Sequence, residues 1–263
     1  MSILLFKLVM TPLFIGAVSL AGRRWGPAVS GLLVGLPLSS GPISLFMALQ
    51  YGSAFAAKAA VGNVVGMASS CLFFLVYGLA ARRWRWFPCA LAALLAFGLS
   101  TLLCNRLSWN LGSAILLLLA MILAVPRLLG REPAAQPPMP PPAWDLPARM
   151  AAATAFVCAL TGSAQALGPQ LSGLIAPLPV FGVVLGSFIH HRQGAAGSLR
   201  YFRGNAVGAL AFIGFFAVVG PGLGRAPLPV VYLLASLGSM AASGLAFLAI
   251  HRKVPWLTGV FGL

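Results

Sequence analysis

A proline inside an apolar segment long enough to cross a bilayer removes a helix hydrogen bond where no water can replace it, at several kcal/mol per unsatisfied group. This chain does so twice, at positions related by one constant shift. The segment Gly26-Pro-Ala-Val-Ser-Gly-Leu-Leu-Val-Gly-Leu-Pro37 recurs without a gap, 142 residues on, as Gly168-Pro-Gln-Leu-Ser-Gly-Leu-Ile-Ala-Pro-Leu-Pro179. Gly52 and Gly194, Gly62-Asn63 and Gly204-Asn205, and Gly66 and Gly208 coincide at the same shift. Such matches are informative because Gly and Pro report special backbone geometry and Asn a buried polar group, whereas Leu on Leu is expected by chance in so apolar a chain. The sequence therefore predicts two copies of one unit, each with a broken helix. Paired breaks in corresponding segments point to a central transport site.

Composition agrees with membrane burial. Of 263 residues, 60% are hydrophobic and 7% charged, and the mean hydropathy is +0.98. An all-α, polytopic integral membrane protein is expected, with membrane lipids as its surroundings. The 17 Lys and Arg against 2 acids would suggest nucleic-acid binding in a soluble protein. Here they fall singly or in small groups between apolar runs, as the positive-inside rule requires, and no basic and aromatic patch lies outside the spans, so no nucleic acid is expected.

Taken in order, residues 3 to 22 form span 1, and span 2 covers 28 to 49, broken around Pro37 and Pro42 with Ser39, Ser40, Gly41 and Ser44 beside them. Span 3 runs over 59 to 81, span 4 over 87 to 104 and span 5 over 109 to 128. A proline-rich stretch, 131 to 145, holds both acids, Glu132 and Asp145, and reads as an exposed polyproline linker. It divides a first transmembrane unit, 1 to 130, from a second, 146 to 263. The second unit gives span 6 (147 to 164), broken span 7 (170 to 190), span 8 (203 to 220) and span 9 (228 to 250). Ten residues, Val254 to Leu263, then follow His251-Arg252-Lys253. They are too few for a tenth full span and read as a partial or interfacial one, so nine to ten transmembrane helices are expected.

Thirteen of the 17 basic residues, among them Arg23, Arg24, Arg82, Arg83, Arg192 and Arg200, fall on one side of this arrangement. That side is expected to be cytoplasmic and the N-terminus periplasmic. Because five spans precede the second copy, the two copies are expected to be inverted.

The Ser-Gly-Leu and Leu-Pro elements of the broken spans have a plain reading, close helix packing and a kink. Their pairing favours a second one: half-helix ends at Pro37 and Pro179 expose backbone groups to a ligand. Asn63 and Asn205 are either interhelical glue or cavity contacts related by the repeat. His190-His191 reads as an interfacial cap beside Arg192, and Cys71, Cys89, Cys104 and Cys158 as buried thiols. With both acids in the linker, no carboxylate is expected in the spans to carry protons or bind Na⁺, and dyads, triads and carboxylate metal sites are excluded. No enzymatic activity, metal or cofactor is expected.

Gly173-Leu-Ile, Pro179-x-Phe181 and Arg192-x-Gly194 together resemble a stretch of the small GlpM-like bacterial inner-membrane proteins, whose single unit is about half this length. That resemblance implies the bacterial inner membrane. The plan of inverted halves with five spans each is also similar to the drug/metabolite transporter superfamily, although the termini there are cytoplasmic. The expected function is transport of a small molecule by alternating access, with Pro37, Ser39, Ser40, Asn63, Pro179 and Asn205 as substrate contacts. The alternative is a non-transporting membrane subunit that scaffolds an envelope-polymer or lipid-handling enzyme.

Overall fold

Gly26 adopts φ 91°, a conformation that a side chain disfavours, and the chain turns there. Pro27 then opens the next helix at its first position, where the missing N–H is of no consequence. The protein was analysed as a computed structural model, which describes residues 3–34, 36–37, 40–130, 142–152, 154–155 and 178–251. Its helices are α1 (Ile3–Trp25), α2 (Pro27–Val34), α3 (Ser40–Tyr51), α4 (Ser53–Ala80), α5 (Trp86–Cys104), α6 (Leu111–Leu129), α7 (Val180–Gly222) and α8 (Leu228–His251). A further helical stretch covers 145–152. Spans 1, 4, 5 and 9 match α1, α5, α6 and α8 closely, while the second part of span 6, the first part of span 7 and the tail lie outside the described residues.

Among the described residues five helices, α4 to α8, contain stretches long and apolar enough to cross a membrane. They divide by burial. The apolar windows of α4 and α7 are 67% and 72% buried, whereas that of α8 is only 22% buried. α4 and α7 are therefore the central pair, packed on each other through Phe73, Phe74, Tyr77 and Phe202, with Tyr77 and Phe202 ring centroids 4.7 Å apart. α5, α6 and α8 flank them and turn leucines outwards, such as Leu95, Leu99, Leu116 and Leu237. An outward apolar face of this kind is stable in lipid and would be a liability in water.

The expected loops between spans 2 and 3 and between spans 7 and 8 are not loops. A single glycine makes each turn: Gly52 (φ 86°, ψ 164°) joins α3 to α4, and Gly194 (φ 65°, ψ −163°) kinks α7. Only glycine adopts this region readily, which lets two helices meet with no connecting segment. Arg200 and Arg203, expected in the loop, are consequently helical, and Arg203 is buried.

The element bounds recur at the spacing seen in the sequence. α4 runs from 53 to 80 and the second arm of α7 from 195 to 222, and α5 and α8 begin at 86 and 228. The glycine turns, 52 and 194, obey the same shift of 142.

Asp145 departs from expectation. It is not a solvated linker charge: it opens the 145–152 helix, is 1% exposed, and is reached by Arg23 at 3.0 Å, Arg149 at 3.2 Å and Arg192 at 3.3 Å. The physical reason is that α1, the 145–152 helix and α7 each bring an arginine to one point, where the carboxylate supplies the counter-charge that keeps them together. Arg192, expected among the loop charges, and Arg149 are thereby largely removed from solvent.

Candidate functional site

Each break is closed by the same hydrogen bond. The Pro37 carbonyl accepts from the Gly41 N–H at 2.8 Å, and the Pro179 carbonyl accepts from the Val183 N–H at 2.8 Å, so both prolines start the helix that follows them. Pro179 is the N-cap of α7, and Ser40 is the first residue of α3. Proline suits both places, since neither asks it for an N–H within a helix.

These two helix starts face one small cavity. It is lined by Val34, Leu36 and Ser40 from the first break, by Leu178 to Gly182 from the second, by Met67, Ser70 and Phe74 of α4, and by Asn205 and Phe212 of α7. Its space for water is about 40 Å³, room for roughly three molecules and far below the several hundred Å³ of a small-molecule pocket. Gly182 lets the start of α7 approach closely: a Cβ there would stand 3.3 Å from Phe74 and 3.4 Å from Phe73.

Asn205 is one of three polar side chains on this cavity, with Ser40 and Ser70. It is fully buried, and among the described residues neither its Nδ2 nor its Oδ1 has a hydrogen-bond partner. The neighbouring Tyr201 hydroxyl has its proton committed to the Phe181 carbonyl at 2.9 Å. A buried carboxamide without partners costs about 1–3 kcal/mol per group, which a bound water or ligand would relieve.

Of the residues expected from sequence, the structure brings Ser40, Pro179 and Asn205 together on this cavity. Pro37 is buried at the break without lining it. Ser39 lies outside the described residues. Asn63 does not share the position of its repeat partner: it is fully buried, donates from Nδ2 to the Ala59 carbonyl of its own helix at 2.9 Å, and is absent from the cavity wall. It is thus neither an interhelical bond nor a cavity contact among the described residues, because its own helix satisfies its donor locally.

Sequence reasoning missed Ser70, Met67, Phe74 and Phe212. The paired dipeptides Phe73-Phe74 and Phe215-Phe216, again 142 apart, were a usable sign that these faces of α4 and α7 carry the contact between copies. A polar contact joins α3 to α8 elsewhere: the buried Ser44 hydroxyl and the Tyr232 hydroxyl are 2.9 Å apart. His190 also differs from its expected role as a cap. It is buried, and its Nδ1 lies 3.4 Å from the Tyr77 hydroxyl, whereas His191 is exposed. Comparisons of the chain with protein-family models, with curated proteins and with solved structures find no match.

Proposed function

We propose that this chain is a membrane transporter of a small molecule, built from two inverted copies and working by alternating access around the cavity at Ser40, Pro179 and Asn205. The observation that carries the reading is the meeting of both helix breaks, with a buried and unsatisfied carboxamide between them. Discontinuous helices that meet at the interface of two repeats are the recurring form of a transport site, because their ends offer backbone groups that continuous helices cannot. The shared element bounds support the repeat, and the odd number of spans in the first copy supports its inversion. The cavity among the described residues is small for most solutes, so the substrate requires it to widen as one copy rocks against the other. The resemblance to the GlpM-like proteins supports the bacterial inner membrane as the setting, and the loop charges support a periplasmic N-terminus and a cytoplasmic proline-rich linker.

The test needs no knowledge of the substrate. In a chain whose Cys71, Cys89, Cys104 and Cys158 are replaced by alanine, Asn205→Cys is exposed to a membrane-impermeant thiol reagent from each side of oriented vesicles. Alternating access predicts labelling from both sides, and Ser40→Cys behaving likewise strengthens it. Protection from both sides, or labelling from one side only, would refute transport and favour a non-transporting subunit that packs against an enzyme.

A further inference from the structure

The cluster around Asp145 holds more positive charge than the one carboxylate described in it neutralises. Three guanidiniums converge on one carboxylate: Arg23 Nη2 and Arg192 Nη1 reach Oδ2, and Arg149 Nη2 reaches Oδ1. Two positive charges are left over. The chain has only 2 acidic side chains, so its acidic side chains, even with Glu132 recruited to the cluster, are one fewer than the three guanidiniums.

That surplus is not solvated in the ordinary way. The Arg149 side chain is 8% exposed, and its Nε, also buried, has no acceptor among the described residues. Its guanidinium is held against the Phe188 ring, 5.1 Å from the centroid, which fixes the direction of its donors. Burying an uncompensated guanidinium is unfavourable by several kcal/mol, and a donor left unsatisfied adds to this. Arg23, with 38% of its side chain exposed, forms the open edge of the cluster.

We propose that Arg23, Arg149 and Arg192, oriented by Asp145, form a binding site for a phosphate group. The guanidinium fork matches phosphate oxygens, and three forks fixed around a shared anchor need little reordering to receive a tetrahedral anion. Phosphate is favoured over a carboxylate by the charge count, since a phosphate monoester brings close to two negative charges at neutral pH. Basic pockets between membrane helices also take phospholipid headgroups. Asp145 is a positioning residue here: it stops the three cations from driving each other apart when the site is empty, and it touches the guanidiniums rather than the phosphate. This inference does not depend on transport.

The full chain in detergent is titrated with sodium phosphate, against sodium chloride at equal ionic strength, following its thermal unfolding midpoint, while native mass spectrometry counts phospholipid retained on each chain. A saturable rise with phosphate alone identifies a free phosphate as the ligand. About one retained phospholipid per chain, displaced by added short-chain phosphatidylglycerol but not by short-chain diacylglycerol, identifies a headgroup. In either case Arg149→Gln should weaken binding about tenfold, the loss of one charge-assisted contact. Arg23→Gln, at the exposed edge and thus gentler on folding, should weaken it in the same direction. Asp145→Asn distinguishes ligand binding from a purely structural ion cluster: with three unopposed cations, phosphate should raise its midpoint further than that of the unmodified chain. Equal midpoints in phosphate and chloride for the unmodified chain, with no phospholipid retained, would overturn the proposal whatever the variants do.

Discussion

Gly204→Ala tests whether the α2 and α7 backbones are in direct contact beside the cavity. A Cβ built at Gly204 falls against the Ala28 carbonyl oxygen, with the Ala28 carbonyl carbon 2.9 Å and its Cα 3.0 Å away. Carbon atoms rest at about 3.5–4.0 Å, so the crossing must open by at least roughly 0.5 Å. Main chain is the obstacle, and no rotamer change relieves it. Overpacking of this kind costs about 1–3 kcal/mol, and a backbone obstacle belongs at the upper end. The gain in helix propensity on replacing glycine, up to about 1 kcal/mol, offsets part of it. A net loss of about 2 kcal/mol is therefore expected, read by titrating the purified chain in mixed micelles with a denaturing detergent and following helicity. Gly98→Ala is the control: nothing lies within 4 Å of that Cβ, so only the propensity term applies and stability should be unchanged or slightly higher. If Gly204→Ala proves as stable as the control, the close approach of the two helices is wrong. The position of Asn205, one residue on, would fall with it.

The remaining predictions concern polar groups. Asn205→Leu should leave stability unchanged or raise it, since it replaces a buried carboxamide without a described partner by an apolar group of similar size, while abolishing the uptake that the proposed function requires; a clear loss of stability would show that the carboxamide has a hidden partner. Asn63→Ala removes one local hydrogen bond and should cost about 1 kcal/mol without altering uptake, and a specific loss of uptake in folded protein would return this residue to the site. Asp145→Asn should destabilise the chain by about 3–5 kcal/mol in phosphate-free buffer, as expected when one partner leaves a buried ion cluster; a change below 1 kcal/mol would mean that the arginines are solvated. A double-mutant cycle of Ser44→Ala and Tyr232→Phe should give a coupling of about 0.6–1.7 kcal/mol, and zero coupling would break the contact between α3 and α8.

Two kinds of information were readable without coordinates. Apolar runs bounded by charge placed α5, α6 and α8, because lipid demands a continuous stretch of fixed length and helices that face it cannot hide a polar residue. The constant spacing between glycines and prolines marked positions whose backbone geometry is set by the residue itself: Gly52 and Gly194 both take positive φ, and Pro37 and Pro179 accept the same hydrogen bond. Local sequence carries such features wherever the chain goes. It does not carry what depends on neighbours from far along the chain. Glycine turns at Gly52 and Gly194 replaced expected loops because helices on either side could pack without a spacer. Asn63 and Asn205 are equivalent in sequence, yet one turns to its own helix while the other faces the meeting of the two breaks. Asp145 sits in a stretch whose composition implies solvent, but Arg23, 122 residues earlier, and Arg192, 47 residues later, draw its carboxylate into the interior. Burial of a charge is decided by the partners that tertiary structure assembles, and a single chain read in order does not show where those partners meet.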